Sequence, residues 1–316
     1  MKCDLCPRKC LVDRKKGEKG ICGQTENLKV ARAALHFWEE PCISGDAGSG
    51  AVFFSGCSLH CVFCQNENIA NGTVGKEISL ERLVDIFLEL QEKRANNINL
   101  VTPGHFVPQI VKALDQARKE GLTLPVVYNT SSYETVDTIK MLEGYVDIYL
   151  PDFKYMSPVL SKKYSHAPDY AEVAKAAIAE MVRQTGKAVF VNGEEDNLIL
   201  SGTIVRHLTL PGCMADSMQI VKYLHDTYGD KIYISIMNQF TPLSNLEKYP
   251  ELNRRITDEE YETLVDYAID IGIENGFIQE GTQRKRVLSR HLTVRACNLE
   301  NENHNFHGGK ISKKNK

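Results

Sequence analysis

The stretch F-F-S-G-C-S-L-H-C-V-F-C-Q-N, residues 53–66, places Cys57, Cys61 and Cys64 on one short segment. The C-x3-C-x2-C spacing offers three thiolates to one centre, and thiolates are the natural ligands of an iron–sulfur cluster. A cubane cluster has four irons, so three ligands leave one iron open to bind and activate something. A cluster that only carries electrons usually has four protein thiolates. Gly56 permits a tight turn before the first ligand. Phe63 supplies an apolar neighbour that shields a cluster and tunes its potential. The competing reading of this loop is a three-cysteine zinc site completed by His60.

Working outward, the segment 51–55 reads as a strand and delivers the cysteine loop at its end. Ser79 is an N-cap for a helix whose Leu80, Leu83, Val84, Phe87 and Leu90 share one face. Further strands are expected at 97–101, 125–128, 146–150, 204–210 and 232–236, with a short one at 277–279. Helices are expected at 108–119, 136–142, 170–184 and 217–228, and Thr257 with Glu260 makes a capping box for another to 270. This alternation predicts an α/β fold, a partial (β/α)6 barrel of parallel strands with right-handed crossovers. The division is an irregular Cys-rich N-terminal segment (1–47), the barrel (48–281) and a basic polar tail (282–316) with little order. Polar residues follow the strands: Thr102 and His105, Asn129 and Thr130, Asp152 and Lys154, Asn238 and Gln239. In parallel α/β folds, sites form at those C-terminal strand ends.

The chain has 316 residues, enough for a large core, and a formal net charge of -3, which argues against a nucleic-acid partner. Lys310, Lys313, Lys314 and Lys316 read as a solvated end. The start lacks the apolar run of a signal peptide, and no segment approaches the ~20 apolar residues of a membrane span. A cytoplasmic location is expected, where ten cysteines read as metal ligands rather than disulfides. Cys3, Cys6, Cys10 and Cys22 have the spacing C-x2-C-x3-C-x11-C, which suits a second metal site, zinc or iron–sulfur, with Cys42 as an exchangeable ligand. The alternative is four reduced thiols in a short segment. Cys213 and Cys297 read as ordinary small apolar residues. Glu39 and Glu40 read as a structural link from the N-terminal segment to the barrel.

The cysteine motif after a first strand, with an aromatic before its last Cys, resembles the signature of the radical S-adenosylmethionine (radical SAM) superfamily. W-E-E-P-C-I-S-G (38–45), F-F-S-G-C (53–57), C-Q-N (64–66), N-L-V-T-P-G-H (99–105), L-P-D-F-K (150–154), R-H-L-T-L-P-G (206–212) and S-I-M-N-Q-F (235–240) resemble the PflX-like relatives of pyruvate formate-lyase activating enzyme. The resemblance covers nearly the whole chain before the tail. It implies a [4Fe-4S] cluster whose open iron is chelated by S-adenosylmethionine, reductive cleavage to a 5′-deoxyadenosyl radical, and hydrogen abstraction. It also implies an electron donor such as flavodoxin or ferredoxin, and a glycyl radical enzyme as partner.

By the same resemblance, Thr102, Pro103 and Gly104 stand where the superfamily has a Gly-Gly-Glu-Pro turn around the methionine amino group, with His105 in place of the missing acid. Asn129 and Thr130 stand near the adenosyl group, with Ser131 where the relatives have Gly. Asp152 and Lys154 match a D-x-K element given a catalytic role, and otherwise form a plain ion pair. Arg206 is matched to the methionine carboxylate, and Gln239 to a late polar contact. Other glycyl-radical activases carry extra cysteines after the cluster motif. None occurs here between Cys64 and Cys213, so the chain departs from that arrangement. Two further readings stand beside the activase: radical chemistry on another peptide, metabolite or RNA base, and a non-catalytic electron-transfer or scaffold protein.

Overall fold

The computed structural model describes residues 2–191, 198–244, 246–280 and 283–287. Eleven strands occur among them. In chain order they are β1 (Lys29–His36), β2 (Ser49–Phe54), β3 (Lys76–Glu77), β4 (Ile98–Val101), β5 (Val126–Thr130), β6 (Ile148–Pro151), β7 (Val189–Phe190), β8 (Ile199–Leu208), β9 (Tyr233–Met237), β10 (Gly276–Glu280) and β11 (Gln283–Val287). Seven are parallel, side by side in the order β2-β4-β5-β6-β8-β9-β10. Spatial order follows chain order, so each crossover steps the same way. This is how a partial barrel winds, and it holds one parallel strand more than six.

Alternation along the strands separates two surfaces. Val126, Tyr128 and Tyr149 face outward, into an apolar layer with the helices Leu80–Glu92 and Val107–Lys119. Val127, Ile148, Leu150, Ile204, Tyr233 and Phe277 face inward. Helix starts are fixed by side-chain caps at Ser79, Thr135, Ser157 and Thr257, the last a full capping box with Glu260.

The inward row is closed at the N-terminal strand ends by a plug. The short helix Pro41–Ser44 packs Cys42 and Ile43 against that row. Asn97, just before β4, donates from Nδ2 to the Ile43 carbonyl at 2.7 Å, and Asn96 does the same for Ser44 at 2.6 Å.

Several sequence expectations are corrected. The segment before residue 47 is not wholly irregular: β1 pairs antiparallel with β2. Its burial alternates poorly, since beyond Val30 only β2 pairs with it, and this hides its period. The helix Pro158–Ser165 went unrecognised, since its polar sequence carries little amphipathic signal. The region 283–287, expected to lack order, forms β11, antiparallel to β10. Cys297 and the lysines from 310 onward lie outside the described residues.

Candidate functional site

The cysteine loop leaves the end of β2 through Gly56, whose φ is +91°. A Cβ there would sit 2.4 Å from the Cys22 carbonyl oxygen, so only glycine lets the N-terminal segment close on the loop. Within the loop, Ser165 Oγ donates to Cys61 Sγ at 3.1 Å, and the Leu59 N–H to Cys57 Sγ at 3.4 Å. Phe63 is buried, with edge contacts to Tyr155, Tyr164 and Phe240 at 6.4, 6.5 and 6.0 Å between ring centroids. Burial pushes the Cys64 thiol up to about 12, with Cys61 and Cys57 adding to it. Burial also raises Cys61, against the pull of the Lys154 ammonium. The three thiols thus lie near enough for Cys57 and Cys61 to act on Cys64.

His60 does not join them. Its Nε2 is 2.8 Å from the Ile21 carbonyl, which corrects the zinc reading that made it a fourth ligand. Among the described residues, no three Cys, His, Asp or Glu side chains converge on one ion-sized point. A single ion draws thiolates to about 2.3 Å, whereas a cubane spreads them over different irons. Three thiols, a wall of aromatics and one hydroxyl donor to sulfur fit an iron–sulfur cluster held by three cysteines.

Inside the barrel, charges alternate from the plug toward this loop. Glu39 Oε2 is 3.0 Å from Arg206 Nη1, and Arg206 Nε is 2.9 Å from Asp152 Oδ1. Lys154 Nζ is 2.6 Å from Asp152 Oδ2. Asn129 ties the lower end, accepting from Arg206 Nη2 at 2.7 Å and donating to Glu39 at 3.3 Å. Burial pushes the Asp152 carboxyl up, but Arg206 and Lys154 outweigh it and hold it below its ordinary range. Burial disfavours the Lys154 charge, yet Asp152 and Cys61 keep it raised. Below this line, Ser235 donates to Glu40 at 2.9 Å. Glu39 and Glu40 therefore do more than link segments, since their carboxylates compensate the barrel interior.

Beside the loop is a pocket lined by Ser58, Thr102, Gly104, His105, Thr130 and Glu134, and also by Cys6, Ser131 and Tyr133. Thr102 holds φ +55°, a strained conformation for a β-branched residue. His105 is buried, and its Nε2 lies 2.7 Å from the Ser55 carbonyl. Burial drives its pKa down to about 3, so the ring is neutral. Its visible work is to brace β2 against the 102–104 turn.

The N-terminal segment roofs this pocket. Arg8 donates to the carbonyls of Ser58 and Ser165 at 2.9 and 3.0 Å and lies 5.0 Å over the Tyr133 ring. Thr138 Oγ1 donates to the Leu5 carbonyl at 2.6 Å. Cys10 and Cys22 are neighbours, their sulfurs 3.3 and 3.8 Å from the point where a Gly20 Cβ would stand. Burial lifts Cys6 to about 12, with Cys22, Cys10 and Cys3 adding to it. Cys42 is far from this group, in the plug at the opposite end of the strands, so it is no exchangeable ligand. Cys213 precedes the helix Met214–Tyr228 and packs against the core as an ordinary small residue.

The structure thus brings Thr102, Gly104, His105, Thr130 and Ser131 to one pocket, with Pro103 in the same turn. Asp152, Lys154, Arg206 and Asn129 form a separate interior network. Gln239 is exposed on the loop after β9, where Gln65 of the cysteine loop donates to the Thr241 carbonyl. Glu134 and Ser165 were missed. Glu134 lies beyond the strand-end residues considered, and Ser165 sits on the unrecognised helix.

Residues 51–198 match the family model described as the Radical SAM superfamily. The uncharacterized protein MJ0674 of Methanocaldococcus jannaschii is 28% identical over 272 residues, covering 84% of this chain and 74% of that protein. The crystal structure of Streptococcus suis SuiB bound to S-adenosylmethionine matches with a TM-score of 0.49 and 13% identity, over 71% of this chain and 48% of that one. A radical SAM methyltransferase from Sphaerobacter thermophilus matches with a TM-score of 0.49 and 14% identity, over 74% and 67%. The chain spans about half the length of the SuiB chain it matches.

Proposed function

Residues 51–198 belong to the radical SAM superfamily, and from that premise we propose that the protein reductively cleaves S-adenosylmethionine and abstracts a hydrogen from a glycine of a partner enzyme. The observation that carries this reading is the three-thiol loop at the strand ends, with His60 turned away to a carbonyl. The superfamily's cofactors are a [4Fe-4S] cluster and S-adenosylmethionine. Together they supply one-electron cleavage of a sulfonium bond and a carbon radical.

Cys57, Cys61 and Cys64 would hold the cluster. Phe63, Tyr155, Tyr164 and Phe240 keep water from the sulfurs. Ser165 donates to Cys61 Sγ, and Lys154 places a positive charge beside it. Both offset the negative charge that three thiolates gather. Asp152, fixed by Arg206, holds the Lys154 ammonium in place. The turn at Thr102, Pro103 and Gly104, with Thr130 and Ser131, lines the pocket next to the loop, where S-adenosylmethionine would lie. Support for a glycine target comes from the phrases at 38–45, 150–154, 206–212 and 235–240, which resemble the activating enzymes. A flavodoxin or ferredoxin would supply the electron.

The test is anaerobic reconstitution with iron and sulfide, then dithionite and S-adenosylmethionine, with 5′-deoxyadenosine and methionine quantified. Both are expected to form. An intact cluster without cleavage overturns the enzyme reading. With a glycyl radical enzyme added, an electron-paramagnetic doublet on that partner is expected. Cleavage without the doublet overturns the glycine target and leaves another peptide or metabolite.

A further inference from the structure

We propose that Cys3, Cys6, Cys10 and Cys22 hold a second iron–sulfur cluster, a cubane with every iron ligated by the protein, which locks the N-terminal segment over the cysteine loop. This site stands on its own residues and does not rest on the function proposed above.

Cys3, Cys6 and Cys10 span eight positions, as Cys57, Cys61 and Cys64 do, with the spacers of two and three residues in the opposite order. Cys22 adds the fourth thiol that the loop lacks. Backbone bonds fold the segment around them. The Cys3 N–H donates to the Val12 carbonyl at 2.9 Å, the Leu11 N–H to the Cys3 carbonyl at 3.0 Å, and the Lys9 N–H to the Cys6 carbonyl at 3.0 Å. Lys9 and Leu11, on either side of Cys10, hold φ +42° and +54°. Left-handed turns of this kind gather backbone N–H groups into the concavities that line many iron–sulfur sites. The Ile21 N–H donates to Cys10 Sγ at 3.2 Å. The Cys10 and Cys22 sulfurs flank Gly20, 3.3 and 3.8 Å from where its Cβ would stand. Burial raises the Cys6 and Cys22 thiols, while the N–H groups of Arg8 and Gln24 pull each back toward the thiolate. Cys22, Cys10 and Cys3 all act on Cys6, so the four lie together. The buried Arg14 guanidinium favours the Cys22 thiolate, and its Nε is fixed on the Thr25 carbonyl at 3.0 Å.

An all-thiolate set suits zinc or an iron–sulfur cluster. Zinc needs its sulfurs about 2.3 Å from one point. Among the described residues no three ligand side chains converge so, here or in the 57–64 loop, and both groups have the wider spacing of a cluster. The segment also needs a staple. Of residues 2–24 only Arg14, Cys22 and Gln24 are buried, while Leu11 and Ile21 are 52% and 51% exposed. A stretch without an apolar core is held by disulfides or by a metal centre, and these four cysteines are free thiols. With four thiolates no iron is left open, so this cluster would not take up S-adenosylmethionine.

The experiment counts iron and acid-labile sulfide after anaerobic reconstitution, and records electron-paramagnetic spectra of the reduced protein with and without S-adenosylmethionine. Wild type is expected to hold about eight irons per chain, and the Cys57→Ala, Cys61→Ala, Cys64→Ala variant about four. The reduced spectrum of that variant is expected to be unchanged by S-adenosylmethionine. Its proteolysis within residues 2–24 is expected to quicken at least tenfold when the iron is chelated away. The wild-type count needs no variant to fold, and about four irons there overturns the proposal. A folded loop variant that carries no iron, or zinc without sulfide, also overturns it. A spectrum of the loop variant that shifts with S-adenosylmethionine overturns the closed coordination.

Discussion

Arg206 and Asp152 are joined twice, by side chain and by backbone. The guanidinium Nε donates to Oδ1 at 2.9 Å, and the two residues form a parallel bridge that continues the β6–β8 pairing. The Phe153 N–H then donates to the Arg206 carbonyl at 2.8 Å. The ion pair is thus set by strand register rather than by flexible loops.

Asp152→Asn removes the one anion that Arg206 and Lys154 share. It leaves buried positive charge facing positive charge. A loss of about 3–5 kcal/mol in stability is expected, the usual cost of breaking a buried pair by removing one partner. Chemical denaturation of the cluster-free protein checks it. A loss below about 1 kcal/mol would mean that water reaches and screens the network.

Gly56→Ala is expected to be damaging for a reason that needs no cluster. The residue combines φ +91° with the Cys22 carbonyl 2.4 Å from the new methyl. Positive φ alone costs a non-glycine residue roughly 1–2 kcal/mol. The clash should also lift the N-terminal segment off the loop. Faster proteolysis within residues 2–24 of the variant, with the barrel left intact, is the expected result.

His105 and His207 are buried and neutral. His207 bonds the Phe153 carbonyl and Ser217, each at 2.8 Å. Burial lowers the two rings to about 3 and about 4 from 6.5. Below pH 6.5 the unfolded chain gains protons that the folded one refuses, so stability falls with pH until the folded values are reached. At pH 5 each ring contributes about 2 kcal/mol of loss relative to pH 7. Urea unfolding at the two pH values checks the sum, and His207→Gln should remove about half of the slope.

Glu134 has the opposite sign. Its folded pKa is raised, so its burial cost is absent below the unfolded value of 4.5 and grows as pH rises through the folded one. Unliganded Glu134→Gln is therefore expected to match or exceed wild-type stability at pH 8. A less stable variant at that pH would mean that the hydroxyl network outweighs burial.

Metal analysis of a Cys57→Ala, Cys61→Ala, Cys64→Ala variant separates the two cysteine groups. Loss of the barrel's iron is expected. Iron that remains would sit at Cys3, Cys6, Cys10 and Cys22, as would zinc.

Much of the barrel was legible because its signals are local. Strands such as 98–101 and 126–130 are short apolar runs, and Ser79 and Thr257 announce their helices. The cysteine loop was legible because its ligands are adjacent in sequence. What escaped is carried by long-range contacts. β1 is recognisable only from its partner β2, and Glu39 meets Arg206 across 167 positions. Glu134 looks like any loop glutamate until the turn from β4 is laid over it.

The first 47 residues hold the barrel at both ends. Residues 5–24 cap the rim that bears the cysteine loop, β1 runs down its edge, and Pro41–Ser44 stoppers the opposite opening. A shortened chain starting near residue 48 would be open above and below at once. Its interior arginine would also lose an acid counterion, so this stretch is a frame without which the barrel's charged interior cannot stay dry.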